Sequence, residues 1–91
     1  MQKRVSLKIY GRVQGVFFRQ ESRQKAQALG LSGYVKNEPD GTVLILAEGD
    51  KASLEEFANW CQKGPRLADV AKMETRWQKS TGELRDFTIS H

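Results

Sequence analysis

Two short stretches of the sequence carry residue types suited to handling an oxyanion and a water. In the first, Gly11-Arg12-Val13-Gln14-Gly15-Val16-Phe17-Phe18-Arg19, Gly15 supplies a position that accepts positive φ without a Cβ clash. A sharp turn across Gln14 to Phe18 points successive backbone amides outward together, and such a nest at the start of a helix favours a phosphate or carboxylate. Arg19 adds a planar, permanently charged fork that matches two phosphate oxygens. A cation at a helix N-terminus opposes the macrodipole, so an anion bridging the two explains its placement. The second stretch ends in Asn37, whose carboxamide both donates and accepts hydrogen bonds and so can hold a water. Each feature also has a plainer reading. The first stretch can be a tight strand-to-helix turn with Phe17 and Phe18 in the core and Arg19 on the surface, and Asn37 can be an ordinary turn residue. In the anion-binding reading, the two phenylalanines pin the loop from opposite sides and keep its amides rigid.

These residues need elements to hold them. Val5, Leu7 and Ile9 alternate with polar residues, which predicts a first strand with one buried face. From Arg19 to Leu29 the composition turns to helix formers, with Ser22, Ala26 and Leu29 at helical spacing and Gly30 as the stop. Glu38-Pro39-Asp40-Gly41 predicts the turn of a hairpin. Its second arm, Thr42 to Glu48, is apolar on both faces and so belongs where little solvent reaches either side. Asp50 can cap a second helix whose Leu54, Phe57, Ala58 and Cys61 share one face before Gly64-Pro65 ends it. Alternation returns from Leu67 to Gln78, and Phe87 and Ile89 mark a short last strand. The order β-α-β-β-α-β, with that terminal strand, predicts an α+β ferredoxin-like two-layer sandwich: a mainly antiparallel sheet with both helices on one face.

Residues 1–91 are expected to form one domain, because a chain of 91 residues without linker composition has room for a single small core. Hydrophobic residues at 38% and charged residues at 29% fit a soluble globule. No apolar run approaches a spanning length, so no membrane segment is expected. Fifteen Lys and Arg against eleven Asp and Glu give a formal charge of +4. The excess favours anions, but without a block of like charge it suits a mixed surface with one anion site better than a nucleic-acid arm. The only cysteine is Cys61, and the N-terminus lacks a signal-peptide pattern, so a reducing cytoplasm is the expected location. Cys61, Trp60 and Trp77 are read as packing residues, and His91, at a position prone to fraying, is given no catalytic role.

Both stretches closely resemble the acylphosphatase family. The first matches the family pattern G-x-V-Q-G-V-x-[FY]-R. The second, from Gly33-Tyr34-Val35-Lys36-Asn37 through Gly41-Thr42-Val43 to Gly49, matches G-[FYW]-[AVC]-K-N-x3-G-x-V-x5-G. The resemblance implies hydrolysis of an acyl phosphate to a carboxylate and inorganic phosphate, with no metal, no other cofactor and no covalent phosphoenzyme. It assigns phosphate binding to Arg19 with the amides of Gly15 to Arg19, and orientation of the water to Asn37. A monomer is the default expectation. The alternative is a ferredoxin-like binding module for a small anionic ligand or RNA. RNA-recognition domains share the element order but carry stacking aromatics on the third strand, and Thr42 to Glu48 has none.

Overall fold

The computed structural model describes residues 2–91. In chain order the elements are β1 (Gln2–Arg12), α1 (Phe18–Ala28), β2 (Ser32–Asn37), β3 (Val43–Asp50), α2 (Lys51–Lys63), β4 (Asp69–Lys79) and β5 (Phe87–Ile89). They form a five-stranded sheet in the order β4-β1-β3-β2-β5, antiparallel except where β5 runs parallel to β2. The result is the ferredoxin-like α+β sandwich, with α1 packed on β2 and β5 and α2 on β1, β3 and β4.

β3 lies between β1 and β2, which accounts for its apolar residues on both faces. Val43, Ile45 and Ala47 are fully buried toward the helices, while Leu44 and Leu46 are half-buried on the other side. The thin apolar stripe of α1 is Phe18, Ser22 and Ala26, and its small residues let the helix lie close to the sheet. The four residues foreseen for α2, Leu54, Phe57, Ala58 and Cys61, are its buried ones. The Phe57 ring stacks on Trp60 and meets Phe87 edge-on at 5.8 Å, joining the second helix to the last strand. Burial raises the pKa of the Cys61 thiol, which keeps it protonated and inert as a packing group.

Trp77 does not pack as expected. It is 44% exposed, because β4 is an outer strand and of its residues only Val70 and Met73 reach the core. A buried carboxylate fastens the end of β4 instead. Glu48, 2% exposed, accepts hydrogen bonds from Arg4 Nε at 2.6 Å, the Thr81 amide at 2.9 Å, the Ser80 hydroxyl at 3.0 Å and the Gly82 amide at 3.3 Å. Burial opposes its ionisation, yet the Thr81 amide, Arg4 and Ser80 outweigh that cost and hold its pKa at about 2. Among the described residues, no helix is long and apolar enough to cross a membrane.

Candidate active site

The segment between β1 and α1 turns as Gly15 requires, and the left-handed backbone recurs two residues later. Gly15 has φ 73° and Phe17 φ 68°, and Phe17 is the only non-glycine residue with positive φ among those described. The sign of φ therefore alternates from Gly15 to Phe18, which curls the backbone so that successive amides face the same side. The first amide to find a backbone carbonyl is that of Glu21, which donates to Phe17 at 3.0 Å. The five amides from Gly15 to Arg19 donate to no acceptor among the described residues.

The loop is held from below by three buried side chains, and Phe17 is not one of them. Val13, Val16 and Phe18 are buried, and Phe18 meets Trp60 edge-on at 5.9 Å. Phe17 is 60% exposed. The two phenylalanines do not pin the loop from opposite sides: the left-handed backbone at Phe17 swings its side chain out, and Val16 provides the second anchor. Gly64 matters to the first anchor, since a Cβ there would lie 2.6 Å from the Phe18 ring.

Asn37 reaches the same place through the sheet. It pairs with Val43 of β3, and Val43 pairs on its other side with Ile9 of β1. Asn37 therefore shares a row with the strand that leads into the loop. The hairpin that follows is rigid: the Glu38 amide donates to the Thr42 carbonyl at 2.9 Å and the Gly41 amide to the Glu38 carbonyl at 3.1 Å. Asp40 accepts from both the hydroxyl and the amide of Thr42, and these donors, with Lys8, hold its carboxyl at a pKa of about 2.

Gln14 is a residue that the sequence reading passed over. Its side-chain amide donates to the Glu38 carbonyl at 2.8 Å and to the Thr42 carbonyl at 2.9 Å, tying the loop directly to the hairpin beside Asn37. The sequence offered one signal, a polar residue inside an otherwise apolar loop. His91 was also set aside, yet it lines the cleft. β5 runs parallel to β2 with Val35 opposite Ile89, and the Ser90 amide donates to the Val35 carbonyl at 2.8 Å, so two residues further on His91 comes level with Asn37.

Val13, Gly15, Phe17, Phe18, Arg19, Asn37, Ile89 and His91, with Gln20, enclose a cleft of about 360 Å³. Neither the Arg19 guanidinium nor the Asn37 carboxamide is engaged with any described residue. A free cation, a free carboxamide and a row of free amides thus border one cavity. Lys36 turns away toward Glu38, 3.9 Å distant.

On a ferredoxin-like sandwich, these features define a protein with a guanidinium, a carboxamide and a turn of uncommitted backbone amides gathered at one cleft. The chain belongs to the acylphosphatase family, a family of hydrolases, whose sequence profile matches residues 5–89. The acylphosphatase of Pelotomaculum thermopropionicum is 42% identical over 87 residues, covering 96% of this chain and 95% of the relative. That of Thermococcus kodakarensis is 46% identical over 86 residues, covering 94% and 93%. The crystal structure of acylphosphatase from Bacillus subtilis superposes with a TM-score of 0.94 at 32% identity, covering 98% of this chain and 99% of that one.

Proposed function

We propose that the chain acts as an acylphosphate phosphohydrolase, with Arg19 and the amides of Gly15 to Arg19 holding the phosphoryl group and Asn37 orienting the attacking water. The observation that carries this reading is that Gly15, Phe17, Phe18, Arg19 and Asn37 all border one cleft, with the loop amides, the guanidinium and the carboxamide uncommitted. Arg19 and the loop amides take the non-bridging oxygens. The Asn37 carboxamide accepts a hydrogen bond from the water and aims its lone pair at phosphorus, in line with the acyl oxygen. As the water oxygen bonds to phosphorus, the bond from phosphorus to the acyl oxygen breaks. Its electron pair leaves on the carboxylate, and both water protons remain on the phosphate product.

Phosphoryl transfer of this kind depends on positioning and charge stabilisation. A carboxylate is a good enough leaving group to depart unprotonated, so we propose that no metal or other cofactor takes part. The site draws all its groups from one chain, in keeping with action as a monomer. The test is hydrolysis of acetyl phosphate. Arg19→Ala is expected to lose nearly all activity, and Asn37→Ala about 10²- to 10³-fold in rate, as for other preorganised donors. Inorganic phosphate should inhibit competitively and a chelator should have no effect. Near-normal turnover by either folded variant overturns the assignment.

A further inference from the structure

The cleft is larger than the group its polar side is proposed to hold. Counting each of the five non-hydrogen atoms of a phosphate as generously as a whole water, about 30 Å³, the ion fills less than half of the roughly 360 Å³ available. Phe17, Ile89 and His91 are among the residues that line the cleft. Phe17 is the residue that needs explaining. It is one of three large hydrophobic residues exposed among those described, and it holds a left-handed backbone that costs a non-glycine residue on the order of 1 kcal/mol or more. Glycine suits that backbone better, and burial does not repay the ring.

We propose that the Phe17 ring is one wall of an acyl-group subsite, facing Ile89 and His91 of the C-terminal segment, that favours acyl phosphates with a flat apolar acyl group, such as an aromatic acid, over short ones such as acetyl. This rests on the acylphosphatase reading above. Once the phosphoryl group is seated on the loop amides and Arg19, the acyl group extends into the remaining part of the cleft. A flat apolar group covers the exposed ring and gains offset or edge-to-face contact, whereas a methyl group is too small to reach it. The ring does not change between ground state and transition state, so its contribution is uniform binding and appears mainly in KM.

The experiment compares kcat/KM for benzoyl phosphate and acetyl phosphate in the wild type, Phe17→Ala, Phe17→Gly and Phe17→Tyr. Because the Phe17 amide also belongs to the phosphate nest, disturbance of the loop lowers both substrates together, and the ratio between them isolates the ring. The benzoyl-to-acetyl ratio is expected to fall about tenfold in Phe17→Ala and Phe17→Gly, mostly through KM, and to stay near the wild-type value in Phe17→Tyr. Phe17→Gly relieves the backbone and so guards against a variant that fails to fold. An unchanged ratio in Phe17→Gly, with both substrates still hydrolysed, overturns the subsite and leaves the acylphosphatase reading standing. A wild type that hydrolyses neither substrate overturns that reading and the subsite with it.

Discussion

Gln14 gives the sharpest test of how the site is assembled, because a single side chain bridges its two halves. Gln14→Ala removes two hydrogen bonds, to the Glu38 and Thr42 carbonyls. Both carbonyls keep another donor, the Gly41 amide on Glu38 and the Glu38 amide on Thr42, so truncation leaves neither orphaned. The loss is therefore the net worth of two bonds, about 0.5–1.5 kcal/mol each, or about 2 kcal/mol in all. With a urea m-value of about 1–3 kcal/mol/M for a domain of this size, the midpoint should fall by about 1 M. Turnover of acetyl phosphate should fall further than stability suggests. Asn37 adjoins the freed turn, and a shift of about 1 Å in a positioning group can cost about 10²-fold. Gln14→Glu should do worse than alanine, since it sets a carboxylate against two carbonyl oxygens. If Gln14→Ala shifts the midpoint by less than about 0.2 M and leaves kcat intact, the strand ladder alone holds loop and hairpin in register and the reasoning fails.

Two further outcomes follow from the fold. Glu48 has a folded pKa of about 2 against an ordinary 4.5. Its ionised form therefore contributes fully above about pH 4.5, and that contribution is lost as the pH falls toward 2. At 1.36 kcal/mol per unit, discounted for solvent screening beside the exposed Thr81–Gly82 turn, this amounts to about 2 kcal/mol. Urea melts between pH 2 and 7 should show an acid limb in the wild type that is flattened in Glu48→Gln, and parallel curves count against the clasp. The glycines should separate by surroundings: Gly33→Ala, at φ 142°, drives a Cβ to 1.8 Å from the Leu46 carbonyl oxygen and should cost about 3 kcal/mol. Gly15→Ala meets nothing within 4 Å and should cost about 1 kcal/mol, the left-handed backbone alone; thermal melts giving equal losses would refute the distinction.

The parts of the candidate site legible in the sequence are those set by local chemistry. Gly15 before a helix-forming run and Arg19 at its start belong to one turn, and Asn37 closes a strand beside a recognisable Pro-Asp-Gly turn, so each was identifiable within its own few residues. The reading failed where tertiary geometry decides direction. Hydrophobicity put Phe17 inside, but one left-handed residue reverses the side chain, and that conformation is invisible in a phenylalanine. Gln14 and His91 depend on contacts 24 or more residues away, one through the hairpin carbonyls and the other through the parallel pairing of β5 with β2. Trp77 was placed in the core because alternation reveals a strand's two faces without revealing that it lies at the sheet edge. Nothing local marks Glu48 as buried, because the turn after β4 that closes over it lies more than 30 residues away.

The charge and backbone of the Gly15–Arg19 turn do not suit each other in isolation. Arg19 places a full positive charge on the first turn of α1, where the helix already presents its positive end, at a cost of about 0.3–1 kcal/mol. Around it five amides go without partners, and Phe17 adds a strained backbone. Under the proposed assignment an anion seated there reverses the first term and satisfies the second, because the same charge and the same amides then face oxygen. That arrangement persists without ligand only if something else fixes the loop. The buried side chains of Val13, Val16 and Phe18 lie beneath the free amides, at about 1.5–3 kcal/mol for each fully buried side chain, and Gln14 ties the upper end to the hairpin. Apolar anchoring thus offsets polar strain within seven consecutive residues. Under the proposed assignment the loop need not reorganise to receive a phosphate, which is the condition under which fixed donors lower a barrier instead of merely binding a substrate.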